Sequence, residues 1–256
     1  MKSKSLLILF AAFGAVICLF AADNKHADWS YDGETGPEFW GDLDPAYALC
    51  RDGVEQSPIN LIANSRRTNQ PLEIHWGASG LNLVNNGHTV QQNYDEGSFV
   101  NFGGVRYNLL QFHFHRRSEH TIHGDHSAME AHFVHASEDG QLLVVGVMLD
   151  RSIRANPFLK SFWDQLPTEN GEIVVNPGLT ISAAAILPEN LDEVYHYAGS
   201  LTTPPGSEGV KWFIFREPVK VSGSQIARFS KMFPNNFRPI QELNDREVTL
   251  LRATRD

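Results

Sequence analysis

The chain has 256 residues, 42% of them hydrophobic, with 21 Lys+Arg against 30 Asp+Glu and a formal net charge of −9 at pH 7. That length is enough for one large domain with a substantial core. The acidic balance argues against a nucleic-acid or anionic-membrane partner, which would need a basic surface, so the expected partner is a small molecule.

Residues 1–22 read as a secretory signal peptide: Lys2 and Lys4 precede an apolar run over 6–20, and Ala21 and Ala22 follow it. The run is shorter than the ~20 residues of a spanning helix. No stable membrane anchor is therefore expected after cleavage, and an exported protein, periplasmic or secreted, is the expectation. Leu19 or Phe20 fits poorly three residues before the cut, so the cleavage position stays open. Without Lys2 and Lys4, 19 basic residues face 30 acidic ones, a formal charge of −11. Cys18 leaves with the signal and only Cys50 remains, so no disulfide can form within the mature chain. Cys50 is either a buried, inert thiol or an exposed one joining two chains, which leaves monomer and homodimer both open.

Residues 23–256 contain no repeat, low-complexity tract or long linker and are read as one domain. Alternation of apolar and polar residues predicts strands over 81–85, 88–93, 105–115, 128–136, 142–149, 193–198 and 210–215. Asp139-Gly140 supplies a tight turn, so 128–136 and 142–149 should pair antiparallel. Asn156-Pro157 starts a helix through about 166, and Ser222 with Gln225 forms a capping box for another to about 232. Both are expected at the edge of the sheet. The predicted class is α+β, mostly β, with a few peripheral helices.

Within the strand 105–115 lies "QFHFH", residues 111 to 115. Residues two apart on a strand share a face, so His113 and His115 stand side by side while Phe112 and Phe114 turn to the apolar side. Alone, that pair also fits an ordinary strand with one polar face. In "EAHFVH", Glu130, His132 and Val134 share one face and Ala131, Phe133 and His135 the other. If the two strands are neighbours, His132 completes a triangle of imidazoles. Three nitrogen ligands with a vacant fourth position suit catalytic zinc, although copper and iron also accept imidazole. Gln111 and Glu130, each two residues before a histidine and on its face, are candidates to hold the rings' far nitrogens. His120, His123 and His126, in the Gly-containing connection, are read as solvated surface residues.

Many short motifs resemble the alpha-class carbonic anhydrases in sequence and order: "DWSY" at 28, "GPEFW" at 36, "QSPINL" at 56, "NNGH" at 85, "QFHFH", "SEHT" at 118, "EAHFVH", "LTTPP" at 201, "VKWFIF" at 210 and "NNFRPIQELNDR" at 235. The resemblance implies a single domain around a large twisted, mainly antiparallel sheet. It also implies reversible hydration of carbon dioxide to bicarbonate and a proton by zinc-bound hydroxide. His113, His115 and His132 match the zinc ligands. Zinc brings its water's pKa to about 7 in this family, a value that belongs to the family rather than to this chain. Thr202 matches the residue that orients the hydroxide and donates to Glu119. Val134, Val144, Leu201, Val210 and Trp212 match the apolar wall for carbon dioxide, and Thr203 lines the same cavity. His88 matches the proton shuttle, with Tyr31, Asn86 and Gln91 organising the waters between. Asn244 and Arg246 match residues near the C-terminus that support the site and the fold.

The chain departs from its resemblance in two places. Secreted relatives often pair a cysteine before "QSPI" with one after "TPP", whereas here Cys50 meets Gly206. Arg116-Arg117 stands where animal members carry Trp-Gly. Two rivals use the same fold: a binding protein, which usually shows a broken ligand set, and a zinc ester hydrolase.

Overall fold

The computed structural model describes residues 26–256; the signal peptide expected over 1–22, with Cys18, lies outside the described residues. No helix among the described residues is long and apolar enough to cross a membrane.

Nine strands run side by side through the main sheet: Ile173–Ser182, Ala78–Asn85, Val90–Asn93, Val105–His115, Met129–Ala136, Leu142–Ser152, Glu208–Ser222, Val194–Ser200 and Thr249–Leu251. Leu72–His75, Phe99–Phe102 and Ala253–Arg255 extend it to twelve strands. Pairing is antiparallel except between 142–152 and 208–222 and between 253–255 and 72–75. All seven predicted strands are present; the last grows at both ends, to 208–222. Ser137 and Gln141 close the expected hairpin around Gly140, whose φ of 80° suits a residue without Cβ. His135 then lies opposite Leu143, and Val134 opposite Val144.

Alternation gives the strand 105–115 two different faces. Phe112 and Phe114 are fully buried on one of them. Both predicted helices form, Pro157–Trp163 with the Asn156 side chain accepting from Leu159 N at 3.2 Å, and Gly223–Ser230 behind the Ser222–Gln225 capping box. They do not sit at the sheet edge as expected. Phe162 lies 5.4 Å from Phe112, and Trp163 4.8 Å from Phe114, so the helices cover the apolar face behind the histidines. The reason is area: Leu159, Phe162, Trp163, Ile226 and Phe229 join one core with Phe112, Phe114 and Phe133, and each large side chain buried there contributes about 1.5–3 kcal/mol. Packing from behind fixes the backbone that carries the imidazoles on the opposite face.

His135 belongs to that rear layer. Its Nε2 accepts from the Trp76 indole at 3.1 Å and its Nδ1 donates to the Leu143 carbonyl at 3.3 Å. Burial lowers its pKa to about 3, against an offset from the Leu143 and Phe133 backbone. Because the folded pKa lies below the unfolded one, stability is fully present above about pH 6.5 and falls as the pH drops towards 3, by up to roughly 4 kcal/mol from this residue. Denaturant unfolding of wild type and His135→Gln at pH 7 and pH 4 should show a smaller acid loss in the variant; parallel losses would refute the assignment.

Candidate metal centre and active site

His113 and His132 are directly opposite each other on adjacent strands. With His115, two places along, they bring ligand nitrogens within 4.8 Å of one another. The spacing in the sequence and the antiparallel register together make the triangle, and no loop has to fold for it to form.

Each ring has one nitrogen held. Gln111 Oε1 lies 2.9 Å from His113 Nδ1, the Asn236 carbonyl 2.6 Å from His115 Nδ1, and Glu130 Oε1 2.9 Å from His132 Nε2. All three holders are acceptors, so the bonded nitrogens carry the protons and His113 Nε2, His115 Nε2 and His132 Nδ1 present lone pairs. His115 Nε2 is buried without a hydrogen-bond partner, and a bound cation would satisfy it. Burial, with mutual repulsion of the rings, holds His113 well below the usual imidazole range and lowers His115. His132 is also disfavoured as a cation by burial, but Glu130 more than offsets this and raises it. Three imidazole nitrogens converging on one point suit tetrahedral zinc, which takes nitrogen ligands at about 2.0–2.1 Å and would displace any proton held at the His132 donor atom.

His120, Glu130 and His132 form a second close group, and its atoms are already committed. Glu130 Oε1 accepts from His132 and from His120 Nδ1 at 2.8 Å, while Oε2 accepts the backbone N–H of Glu119 and of His120 at 2.9 Å each. His120 Nε2 is 2.6 Å from the Tyr197 hydroxyl. Burial would raise Glu130, but the two imidazoles outweigh it and hold it well below the ordinary carboxylate range. Glu130 and His120 therefore have no lone pair left for an ion, and they position His132, whose Nδ1 stays free on the side of the triangle. This group also corrects the surface reading of His120, which is fully buried, and of His126, half-buried against Ser118; of the three, only His123 is exposed.

Glu119 is fully buried next to the triangle. Its Oε1 accepts the Arg238 N–H at 2.8 Å, and its Oε2 lies 3.5 Å from His115 Nε2 and 3.8 Å from His132 Nδ1 with no hydrogen bond of its own. Thr202 is nearly buried in the loop after Val194–Ser200. Among the described hydrogen bonds none joins it to Glu119. The expected wall is present as one cluster: Val144, Val210 and Trp212 are buried together, with Val134 and Leu201 packed against them. Trp212 faces His132 at 4.8 Å and donates its indole N–H to the Ser200 carbonyl at 2.9 Å. Thr203 is half-buried and its carbonyl closes the turn to Gly206 N at 2.9 Å.

His88 is half-buried and stacks flat on Trp29 with ring centroids 3.7 Å apart. Burial lowers its pKa, partly offset by Asp28, so the ring is free to accept a proton at neutral pH. Tyr31 stands 6.3 Å from it, and its phenol is raised well above the usual range by burial and by Glu119. Asn86 Oδ1 accepts from His88 N at 3.0 Å, and Gln91, opposite His113 in register, donates to Asn93 Oδ1 at 2.6 Å. The expectation for Asn244 needs correction. That residue is exposed and donates to the Val54 carbonyl, while Asn236 and Arg238 are the C-terminal residues that reach His115 and Glu119. Arg246 ties Leu243, Glu242 and Ala198 carbonyls, away from the triangle.

The loop bearing Thr202 has other fastenings in place of a disulfide. Gln56 Nε2 donates to the Gly206 carbonyl at 2.9 Å, and Arg238 Nη1 to Gln56 Oε1 at 2.8 Å. Cys50 is a buried free thiol, raised by burial against a lowering by Arg238, so the buried alternative holds. A Cβ on Gly206 would lie 2.7 Å from Cys50 Sγ, near the roughly 3 Å between Cβ and the far sulfur of a disulfide. Gly206 has φ of 71°, a strain of about 1–2 kcal/mol for cysteine against about 2–4 kcal/mol from the crosslink. Gly206→Cys should raise the melting temperature by several degrees when oxidised and lower it when reduced. An unchanged melt with the bond verified by mass would contradict this.

A sequence profile of the eukaryotic-type carbonic anhydrases matches residues 35–252. A carbonic anhydrase of Nostoc sp. is 40% identical over 97% of this chain and 95% of its own length, and one of Pectobacterium carotovorum is 37% identical over 97% and 99%. Among solved structures, the alpha-carbonic anhydrase of Thermovibrio ammonificans, in complex with sulfanilamide, superposes with a TM-score of 0.83 at 42% identity, covering 87% of this chain and 99% of that one. The chain belongs to the alpha-carbonic anhydrase family. Membership makes it an enzyme of the carbonic anhydrase class.

Proposed function

We propose that the protein hydrates carbon dioxide reversibly to bicarbonate and a proton, with zinc held by His113, His115 and His132. The observation that carries this is the orphaned, buried Nε2 of His115 between two rings whose far nitrogens are fixed. Zinc, when bound there, acts as a Lewis acid that acidifies a water to a pKa of about 7 in this family.

The chain's own groups supply orientation, a binding surface and a proton path. Thr202 would accept a hydrogen bond from the attacking oxygen and donate a hydrogen bond from its own hydroxyl to Glu119 Oε2, which is free to accept because Oε1 is taken by Arg238 N–H. Fixing that oxygen aims a lone pair at the substrate carbon. Carbon dioxide has no net charge or dipole, so Val134, Val144, Leu201, Val210 and Trp212 would hold it by contact and exclude water, with Thr203 at the cavity rim. His88 would take the released proton through waters ordered by Tyr31, Asn86 and Gln91 and deliver it to buffer. Export to the periplasm is part of the reading and rests on residues 1–22; N-terminal sequencing of protein recovered from the periplasmic fraction tests it.

Stopped-flow hydration of zinc-replete protein before and after a strong chelator tests the function, with activity expected to vanish on chelation and return with zinc. A folded, zinc-replete sample with no activity would overturn it. His88→Ala should lower kcat in weak buffer by about tenfold or more, within the range of general acid–base contributions, and imidazole should restore it. A fall in kcat/KM in place of kcat would mean that His88 serves another role.

A further inference from the structure

Thr89 and Asn236 touch none of the reacting groups assigned above through their side chains, yet both bond to the peptide that joins two proposed ligands. Thr89 Oγ1 donates to the Phe114 carbonyl at 2.7 Å, and Asn236 Nδ2 donates to the same carbonyl at 3.0 Å. Asn236 Nδ2 also donates to the His88 carbonyl at 2.9 Å. Phe114 lies between His113 and His115, and Thr89 directly follows His88. Both clamp residues are buried, so water does not readily replace a bond lost from either.

The rest of the His88 turn has weaker ties to the metal strand. Asn86 and Gly87 are exposed. Asn86 Oδ1 caps His88 N and Thr89 N within the turn itself. The strand Val90–Asn93 that follows is only four residues long and meets the ligand strand at 111–113. The Phe114 carbonyl is thus the side-chain fastening point between the turn and the ligand strand, added to the strand pairing at 91–93.

We propose that Thr89 and Asn236 are positioning residues for proton transfer, a clamp that holds the His88 turn at fixed register to the ligand strand. The inference rests on the shuttle role given to His88. Its mechanical content is independent of that role: the clamp restrains residues 86–90 whether or not a proton passes.

Thr89→Val removes the hydroxyl at nearly constant volume and leaves untouched both the Asn236 carbonyl that holds His115 and the Asn236 Oδ1 that accepts from Arg116 N at 2.6 Å. Three measurements decide between outcomes. Zinc stoichiometry and chelator competition should match wild type. Amide hydrogen exchange over 86–90 should quicken while 129–136 stays protected. In weak buffer kcat should fall by about tenfold, below the hundredfold that a misplacement of about 1 Å can cost, with kcat/KM unchanged, rescue by imidazole, and no further loss when added to His88→Ala. Loss of zinc together with kcat/KM would make the clamp a support of the metal site only and overturn the proposal, as would unchanged exchange and kcat. Thr89→Ser, which keeps the hydroxyl, should match wild type in all three measurements. An inactive wild type, or a His88→Ala with unaltered kcat, would instead remove the underlying reading while the exchange result still judges the clamp.

Discussion

His115→Ala is expected to abolish stoichiometric zinc and to lower carbon dioxide hydration by more than a hundredfold. Removing a group that only orients a ligand already costs about 10- to 100-fold in metal affinity or activity, and His115 is one of the three proposed ligands itself. The fold should survive. The ring sits on the strand 105–115, whose other face is anchored by Phe112 and Phe114, and an imidazole with its Nε2 unpartnered contributes little to the apoprotein. Circular dichroism, zinc analysis and stopped-flow hydration on one preparation check this. A variant that keeps both zinc and activity would exclude His115 from the ligand set. Glu130→Gln makes a contrasting case. It should retain the triangle but weaken zinc, because an amide has one oxygen acceptor for the four hydrogens that Glu130 now receives.

Thr202→Ala should leave zinc bound and reduce kcat/KM on the order of a hundredfold, the scale of losing an oriented attacking group. Thr202→Ser keeps the hydroxyl and should recover most of that loss. Glu119→Gln should give a similar defect, since an amide keeps an acceptor at only one of the two oxygen positions and a donor NH2 takes the other, so Arg238 N–H and Thr202 cannot both be served. If the two side chains act as a unit, the double variant will be hardly worse than either single one. Additive losses would separate Thr202 from Glu119 and break that part of the mechanism.

Strand periodicity made the histidine triangle legible, because a two-residue repeat determines face directly and His113, His115 and His132 all lie within long strands, His115 at the end of its own. The wall residues followed from the resemblance; their common cluster depends on the parallel pairing of 142–152 with 208–222, which no local pattern encodes. Asn236 was missed because its contribution to His115 is a backbone carbonyl, available from any residue type and so silent in a sequence. His120 was misread for a related reason. It lies in a polar Gly-containing connection, and its burial is imposed by Glu130 and Tyr197, from strands distant in the chain. The edge strand Ile173–Ser182 also went unpredicted: its Asn-Pro-Gly stretch shifts register between Asn176 and Thr180, and most of it is exposed, so alternation is lost there. Thr89 gave no signal at all, since a threonine in a turn looks the same whether or not it bonds to a ligand strand.

X-ray absorption at the zinc edge of active protein tests the central claim most directly. The claim predicts one zinc per chain with three imidazole nitrogens at about 2.0–2.1 Å and a single light oxygen ligand. A sulfur or carboxylate shell, or full activity without stoichiometric metal, would contradict it.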